Sequence, residues 1–219
     1  MKKFSEIEKD NEIREYIIKS DSYLKELSFT EHSFAHVGHV AKTAGEILEN
    51  LGYSEREIEL AKISGFMHDI GNVINRNGHA HHGANMAFVL LKERGFESSD
   101  IEDICIAIGN HDEGTGIPAS AISAALILAD KGDVRRSRVR DKDFSYSDIH
   151  DRVNYAVKKS ELKLDIKNKQ AILKLAVDTD FSPVMDYFEI FLARMIMCKN
   201  AASYLGLEFK LIMNETKVL

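Results

Sequence analysis

Tryptophan is absent from the 219 residues, and proline occurs only at Pro118 and Pro183. So few chain breakers exclude a many-turned β protein and favour long helices. Cysteine is almost as scarce. Cys105 and Cys198 have no motif spacing and are expected to be buried small side chains of a reducing compartment, not a disulfide framework. Long apolar runs are missing too. The longest uncharged stretch, Ile117 to Ala129, is too short to span a bilayer, so no membrane partner is expected. The first residues, Met1-Lys2-Lys3-Phe4-Ser5-Glu6, show no apolar core of a signal peptide, and a cytoplasmic location is the expectation. Nor is there an excess of positive charge: 29 basic against 35 acidic residues argue against a nucleic-acid coat.

What the chain does have is histidine, and in one place. Eight of nine fall between His32 and His111. Helical spacing of apolar residues predicts a helix over 5–27 and a second over 31–51, ended by Gly52. Ser54 with Glu57 forms a capping box that opens a third, running to about His68, and 72–78 is a loop. A fourth helix is expected over about 80–94, a fifth capped by Ser99 with Glu102 and reaching His111, and a sixth over 119–131. Beyond about residue 145 the pattern changes. Glu161–Ile166 and Ala171–Val177 alternate as a hairpin, 183–204 is helical, and Phe209–Met213 is a third strand candidate. The expected fold is therefore mainly α, a helical bundle over 1–145 with a small ββαβ appendage over 146–219. Its uncovered strand edges make pairing between two chains, a homodimer, conceivable.

His36, His68-Asp69, His79, His111 and Asp130 sit on different helices, several at helix ends, which can converge on one pole of a bundle. Imidazole nitrogens mixed with carboxylate oxygens suit Mn, Fe, Co, Ni or Zn better than Mg or Ca. Adjacent His68 and Asp69 point about 100° apart on a helix and share a site only at its end. There a carboxylate with two oxygens can bridge two cations about 4 Å apart, an arrangement suited to phosphoryl displacement by water.

The ordered set His36…His68-Asp69…Asp130 resembles the HD-domain metal-dependent phosphohydrolase signature over roughly residues 30–140. Met67-His68-Asp69-Ile70-Gly71 is similar to the hallmark box of that family. His79-Ala80-His81-His82-Gly83-Ala84, Ala107-Ile108-Gly109-Asn110-His111 and Ala129-Asp130-Lys131 resemble boxes of a subgroup with more than four ligands. The resemblance implies one metal held by His36, His68, Asp69 and Asp130, with Asp69 bridging to a second ion at His79 and His111. It further implies a water activated between them and a phosphate ester or anhydride as substrate, most naturally of a nucleotide. Two branches share the pattern: HD-type dinucleoside tetraphosphate hydrolases, through Ala129-Asp130-Lys131 and Arg136, and the cyclic-dinucleotide phosphodiesterases of HD-GYP type, through Asp112 to Pro118. The sequence departs from them at Asn72, where both carry Lys, and at Asn110 and Ile117, where HD-GYP proteins carry His and Tyr. A regulatory module that binds nucleotide without turnover is the alternative of another class.

Lys131 and Arg136 are expected to bind substrate phosphate, as planar or point cations can. The neighbouring Arg135, Arg138, Arg140 and Lys142 read equally well as a solvated face paired with Asp133 and Asp141. His32, read as one helical turn before His36, is expected to support a ligand or lie at the surface. His39, His81 and His82 are expected to face solvent or substrate, His150 solvent. Asp112 or Glu113 is a candidate proton donor to a leaving oxygen.

Overall fold

The computed structural model describes residues 2–140 and 149–218, with the side chain of His150 also left out. The expected boundary between residues 145 and 146, Asp141 and Lys142, and the side chain of His150 therefore lie outside the described residues. Among the described residues the fold is mainly α with one small sheet.

The bundle is built from α1 (Phe4–Glu8), α2 (Asn11–Glu26), α3 (Phe34–Asn50), α4 (Glu55–Met67), α5 (His79–Glu93), α6 (Ser98–Gly109) and α7 (Ala121–Lys131). The single helix expected over 5–27 is broken at Asp10. Its carboxylate caps α2 by accepting from Ile13 N and also receives a two-pronged bond from Arg94 at the end of α5. A continuous helix would forfeit both, and apolar periodicity alone does not register that cost. The expected cap at Ser99 is also corrected: α6 starts at Ser98, leaving Ser99 and Glu102 inside the helix. The box at Ser54 and Glu57 does form, worth about 1 kcal/mol to α4.

Every residue from Ile122 to Lys131 is buried, so α7 is the axis of the bundle. A helix apolar all round can be stable only there. Helix α4 approaches α3 so closely that a Cβ on Gly65 would stand 2.7 Å from the Ala41 Cα. At Gly71, in the 3-10 turn Ile70–Val73, a Cβ would meet the His79 carbonyl at 2.1 Å and Gly83 N at 2.3 Å. The first turn of α5 is thus pressed against the corner that follows α4.

The tail holds α8 (Ile149–Ala156), β1 (Val157–Asp165), β2 (Gln170–Val177), α9 (Val184–Tyr204), β3 (Glu208–Met213) and β4 (Thr216–Lys217). Strands β1 and β2 form the expected hairpin; β3 lies parallel to β2 after the α9 crossover, and two-residue β4 pairs antiparallel with β3. Helix α8 and strand β4 add to the ββαβ expectation, and both are too short to leave a periodic signal. Tyr187, Phe191, Met195 and Cys198 of α9 are buried in a core that is continuous with α7. Among the described residues no helix is long and apolar enough to cross a membrane.

Candidate metal centre

The helix ends place each donor. His68 terminates α4 and Asp69 follows it into the 3-10 turn; His79 opens α5 behind Gly78, whose φ of 73° reverses the chain. His36 lies in the first turn of α3, His111 just past α6, and Asp130 in the last turn of α7. The structure brings all six together: each is less than a tenth exposed.

One hydrogen-bond pattern recurs. His68, His79 and His111 each donate Nδ1–H to the carbonyl three residues earlier, of Gly65, Arg76 and Ile108, at 2.8, 3.1 and 2.6 Å. His36 Nδ1 is 2.9 Å from Asp133 Oδ2, and His32 Nδ1 is 2.7 Å from the Thr30 carbonyl. Those oxygens only accept, so Nδ1 carries a proton in each ring, and a ring that is neutral presents its Nε2 lone pair. The Nε2 atoms then converge on Asp69 and Asp130.

Asp69 divides them. Its Oδ2 lies 3.1 Å from His68 Nε2, 3.6 Å from His36 Nε2 and 3.9 Å from His32 Nε2. Its Oδ1 faces His79 Nε2 at 3.5 Å and His111 Nε2 at 4.0 Å. Asp130 Oδ1 completes the first group, 3.3 Å from His36 Nε2 and 3.7 Å from His68 Nε2. Two sets of donors lie within mutual reach of one ion: His36, His68 and Asp130, and His68, Asp69 and His111.

These residues fit divalent cations. Among the described residues His36 Nε2 and His68 Nε2 are buried without a well-aligned hydrogen bond, a state that a bound cation would relieve. His79 Nε2 and His111 Nε2 stand 3.1 Å apart with lone pairs facing, a repulsion that the Arg76 guanidinium, 3.3 Å from His79 Nε2, and a bound cation would each relieve. Burial opposes ionisation of Asp69 and Asp130, but the surrounding histidines and Lys131 outweigh it and hold both well below the usual carboxylate range. Burial keeps His32, His79 and His111 neutral by lowering their pKa. At His68 burial is overcome by Asp69 and Asp130, which push its pKa up to about 10, so this ring holds a second proton on Nε2 that a bound cation would replace. The cluster attracts positive charge in whatever form is offered.

Sequence reasoning missed several supporting residues. Asp133 fixes the His36 ring and is itself gripped by Arg135. Asn72, at the position of the missing Lys, donates Nδ2–H to Asp69 Oδ1 at 2.9 Å and orients it. The only sequence signal for Asp133 is its position three residues after Asp130. His32 is corrected on its helical position, since it precedes the Ser33 cap of α3 and so is not one turn of that helix before His36; of the two roles expected for it, its burial 3.9 Å from Asp69 excludes the surface one. His39 and His81 are exposed and His82 half-buried.

The donors open into a cavity of about 400 Å³. Its other walls include Phe29 and Thr30, Arg76, Lys131 and Arg138, then Asp151 and Asn154 of α8 and Phe191 and Arg194 of α9. Lys131 is buried between Asp130 Oδ2 at 2.8 Å and Glu113 Oε2 at 3.4 Å. Arg136 does not line this cavity. It bonds the Tyr155 carbonyl and packs over the rings of Tyr155 and Phe181, at 4.3 and 5.5 Å. The expectation that it contacts substrate phosphate beside Lys131 is thus not met by its position. Arg140 is likewise spent on Asp21 and the Phe29 carbonyl.

A family model of the HD domain matches residues 33–174. One similar solved structure is that of a predicted HD superfamily hydrolase from an uncultured Thermotogales bacterium. It is 25% identical over 57% of this chain and 67% of that one, with a TM-score of 0.46. No curated protein matches the chain significantly.

Proposed function

The chain belongs to the HD-domain family of metal-dependent phosphohydrolases, and from that premise we propose that it cleaves a phosphate ester or anhydride of a nucleotide at a centre of two divalent transition-metal ions. The observation that carries this reading is the division of donors about Asp69, with His36, His68 and Asp130 on its Oδ2 side and His79 and His111 on its Oδ1 side. When bound, ions such as Mn, Fe, Co, Ni or Zn supply Lewis acidity that lowers the pKa of water towards neutrality and draws charge from a phosphoryl oxygen.

The side chains of the chain do the rest. Asn72 keeps the Asp69 carboxylate in one orientation, and the carbonyl bonds at Nδ1 keep each imidazole lone pair aimed inward before substrate arrives. Lys131 Nζ beside Asp130 and Arg76 NH1, 3.3 Å from His79 Nε2, put positive charge next to the donor cluster, where the oxygens of a phosphate would gather. Asp112, with Oδ1 4.0 Å from His79 Nε2 and partly exposed, is placed to hand a proton to a leaving oxygen. Phe191 and the buried Asn154 exclude bulk water from the far wall.

For the cyclic-dinucleotide alternative, Asn110 supplies no donor: its Nδ2 bonds the Ile106 carbonyl of its own helix. A binding module without turnover has no use for so complete a set of lone pairs. The test is metal analysis of purified protein, where about two first-row ions per chain are expected, followed by a panel of mononucleotides, dinucleoside polyphosphates and cyclic dinucleotides with Mn, Co or Ni. A carefully loaded sample that holds no ion overturns the proposal. Tight nucleotide binding with no hydrolysis anywhere in the panel replaces it with the regulatory reading.

A further inference from the structure

Helix α9 lies beyond the segment 33–174 that matches the family, yet it sends one cation into the cavity. Arg194 Nε is 2.5 Å from Glu113 Oε1, and its guanidinium sits 4.5 Å over the ring of Phe191. That stack and that ion pair fix the plane of the group while using only one of its edges. The other cations of the cavity are engaged with the bundle itself, Arg76 and Lys131 directly at the donor residues. Arg138 spends Nε and NH1 on the carbonyls of Glu31 and Asp133, Arg76 spends NH1 on Asn72 and His79, and Lys131 lies between two carboxylates. Arg194 NH1 and NH2 make no hydrogen bond among the described residues. A guanidinium edge held in a fixed plane at a cavity wall is suited to two-pronged binding of a phosphate.

We propose that Arg194 binds a phosphate of the substrate other than the one being cleaved, so that α9 selects nucleotides carrying at least two phosphates. The inference rests on the phosphohydrolase reading for the cleaved group. The donors around Asp69 and Asp130 gather one phosphoryl group; Arg194 reaches the cavity beyond Lys131, through Glu113, and so meets the next one along. Glu113 faces Lys131 and Arg194 at once, so neither cation is neutralised by a carboxylate of its own there and Arg194 keeps an open edge for an incoming anion. The tail thereby acquires a role: it supplies recognition to a centre built wholly from the bundle.

The test compares ADP with AMP by titration calorimetry on metal-loaded wild type, R194M and R194K, with thermal melting and metal content as controls. Wild type is expected to prefer ADP. R194M should lose about tenfold in ADP affinity while AMP affinity changes less than twofold, and R194K, a point charge without a fork, should recover part of the preference. Equal weakening of both ligands in R194M, an unchanged preference, or a wild type that binds neither nucleotide overturns the inference. Hydrolysis of p-nitrophenyl phosphate by the same wild-type sample is read separately. Hydrolysis with an unchanged preference in R194M overturns the role of Arg194 alone, whereas no hydrolysis overturns the phosphohydrolase reading even where R194M loses ADP.

Discussion

The bundle and the tail hold their polar groups by different means. In the bundle, His68, His79 and His111 are fixed by main-chain carbonyls within their own turns, so their lone pairs point inward once the helices form. In the tail, Arg194 is held by Glu113 and the face of Phe191, and Arg152 by Asp186. Main-chain anchors cannot be lost without unwinding a helix, whereas a pair between side chains depends on both rotamers and can be removed by one substitution. Packing joins the two regions: burying each of Phe191 and Met195 of α9 contributes about 1.5–3 kcal/mol. The lesson is a difference in how side chains are held: the candidate metal donors by main-chain bonds of their own turns, the cation proposed to read a second phosphate by a stack and an ion pair from other elements.

The sharpest way to break that comparison is to remove charge from the rigid half. Asp69→Asn keeps the shape and the contact with Asn72 but cannot supply two anionic oxygens to opposite sets of histidines. Turnover should fall by about 10³-fold or more, measured as kcat on the best substrate of the panel. The fold should survive, because the carboxamide keeps the volume and relieves the desolvation of one of three buried carboxylates, Asp69, Asp130 and Asp133. Melting temperature and far-UV circular dichroism check that half. Substantial residual turnover in the presence of metal would move the chemistry away from the bundle altogether.

A smaller effect is expected one step out from the donors. Asp133→Asn leaves a hydrogen-bond acceptor near His36 Nδ1 but removes the negative charge that makes Nε2 a better donor, and it frees Arg135. Metal affinity should weaken by about 10–100-fold, read by competition with a chromogenic chelator, with saturating metal restoring much of kcat. A loss of kcat that metal does not rescue would mean that Asp133 acts on the reaction and not on the His36 ring.

The legible part of this molecule follows the same division. The donors His36, His68, Asp69, His79, His111 and Asp130 belong to short boxes at helix ends, and local spacing together with family resemblance was enough to collect them. Asp133 escaped because its meaning depends on His36, 97 residues away, and a single Asp in a basic run looks like a charge partner of its neighbours. Arg194 escaped for a similar reason: on sequence it is one polar residue on an apolar helix, and only the packing of α9 against α7 turns it towards the cavity. Periodicity runs smoothly through His32 and extends the helix over it, whereas the Ser33 cap that excludes it is a local contact with Ala35 N that periodicity does not weigh. The break at Asp10 is only partly local, since beside its own cap it gains a bond to Arg94 that no local window contains.

Arg136 provides the finest discrimination, because it follows Asp130 closely in sequence and yet faces away from the cavity. Its guanidinium packs on Tyr155 and Phe181 and bonds the Tyr155 carbonyl, so it fastens the turn after α7 to the end of α8. Arg136→Ala should lower stability by about 1–2 kcal/mol through the lost stacking and the stranded carbonyl, measured by urea denaturation. Its KM and kcat should stay within about twofold of wild type, since neither the donors nor the cavity wall depends on its charge. A rise in KM with stability unchanged would put Arg136 beside Lys131 on the substrate, and would erase the line drawn here between the residues that fasten the tail and those that read the ligand.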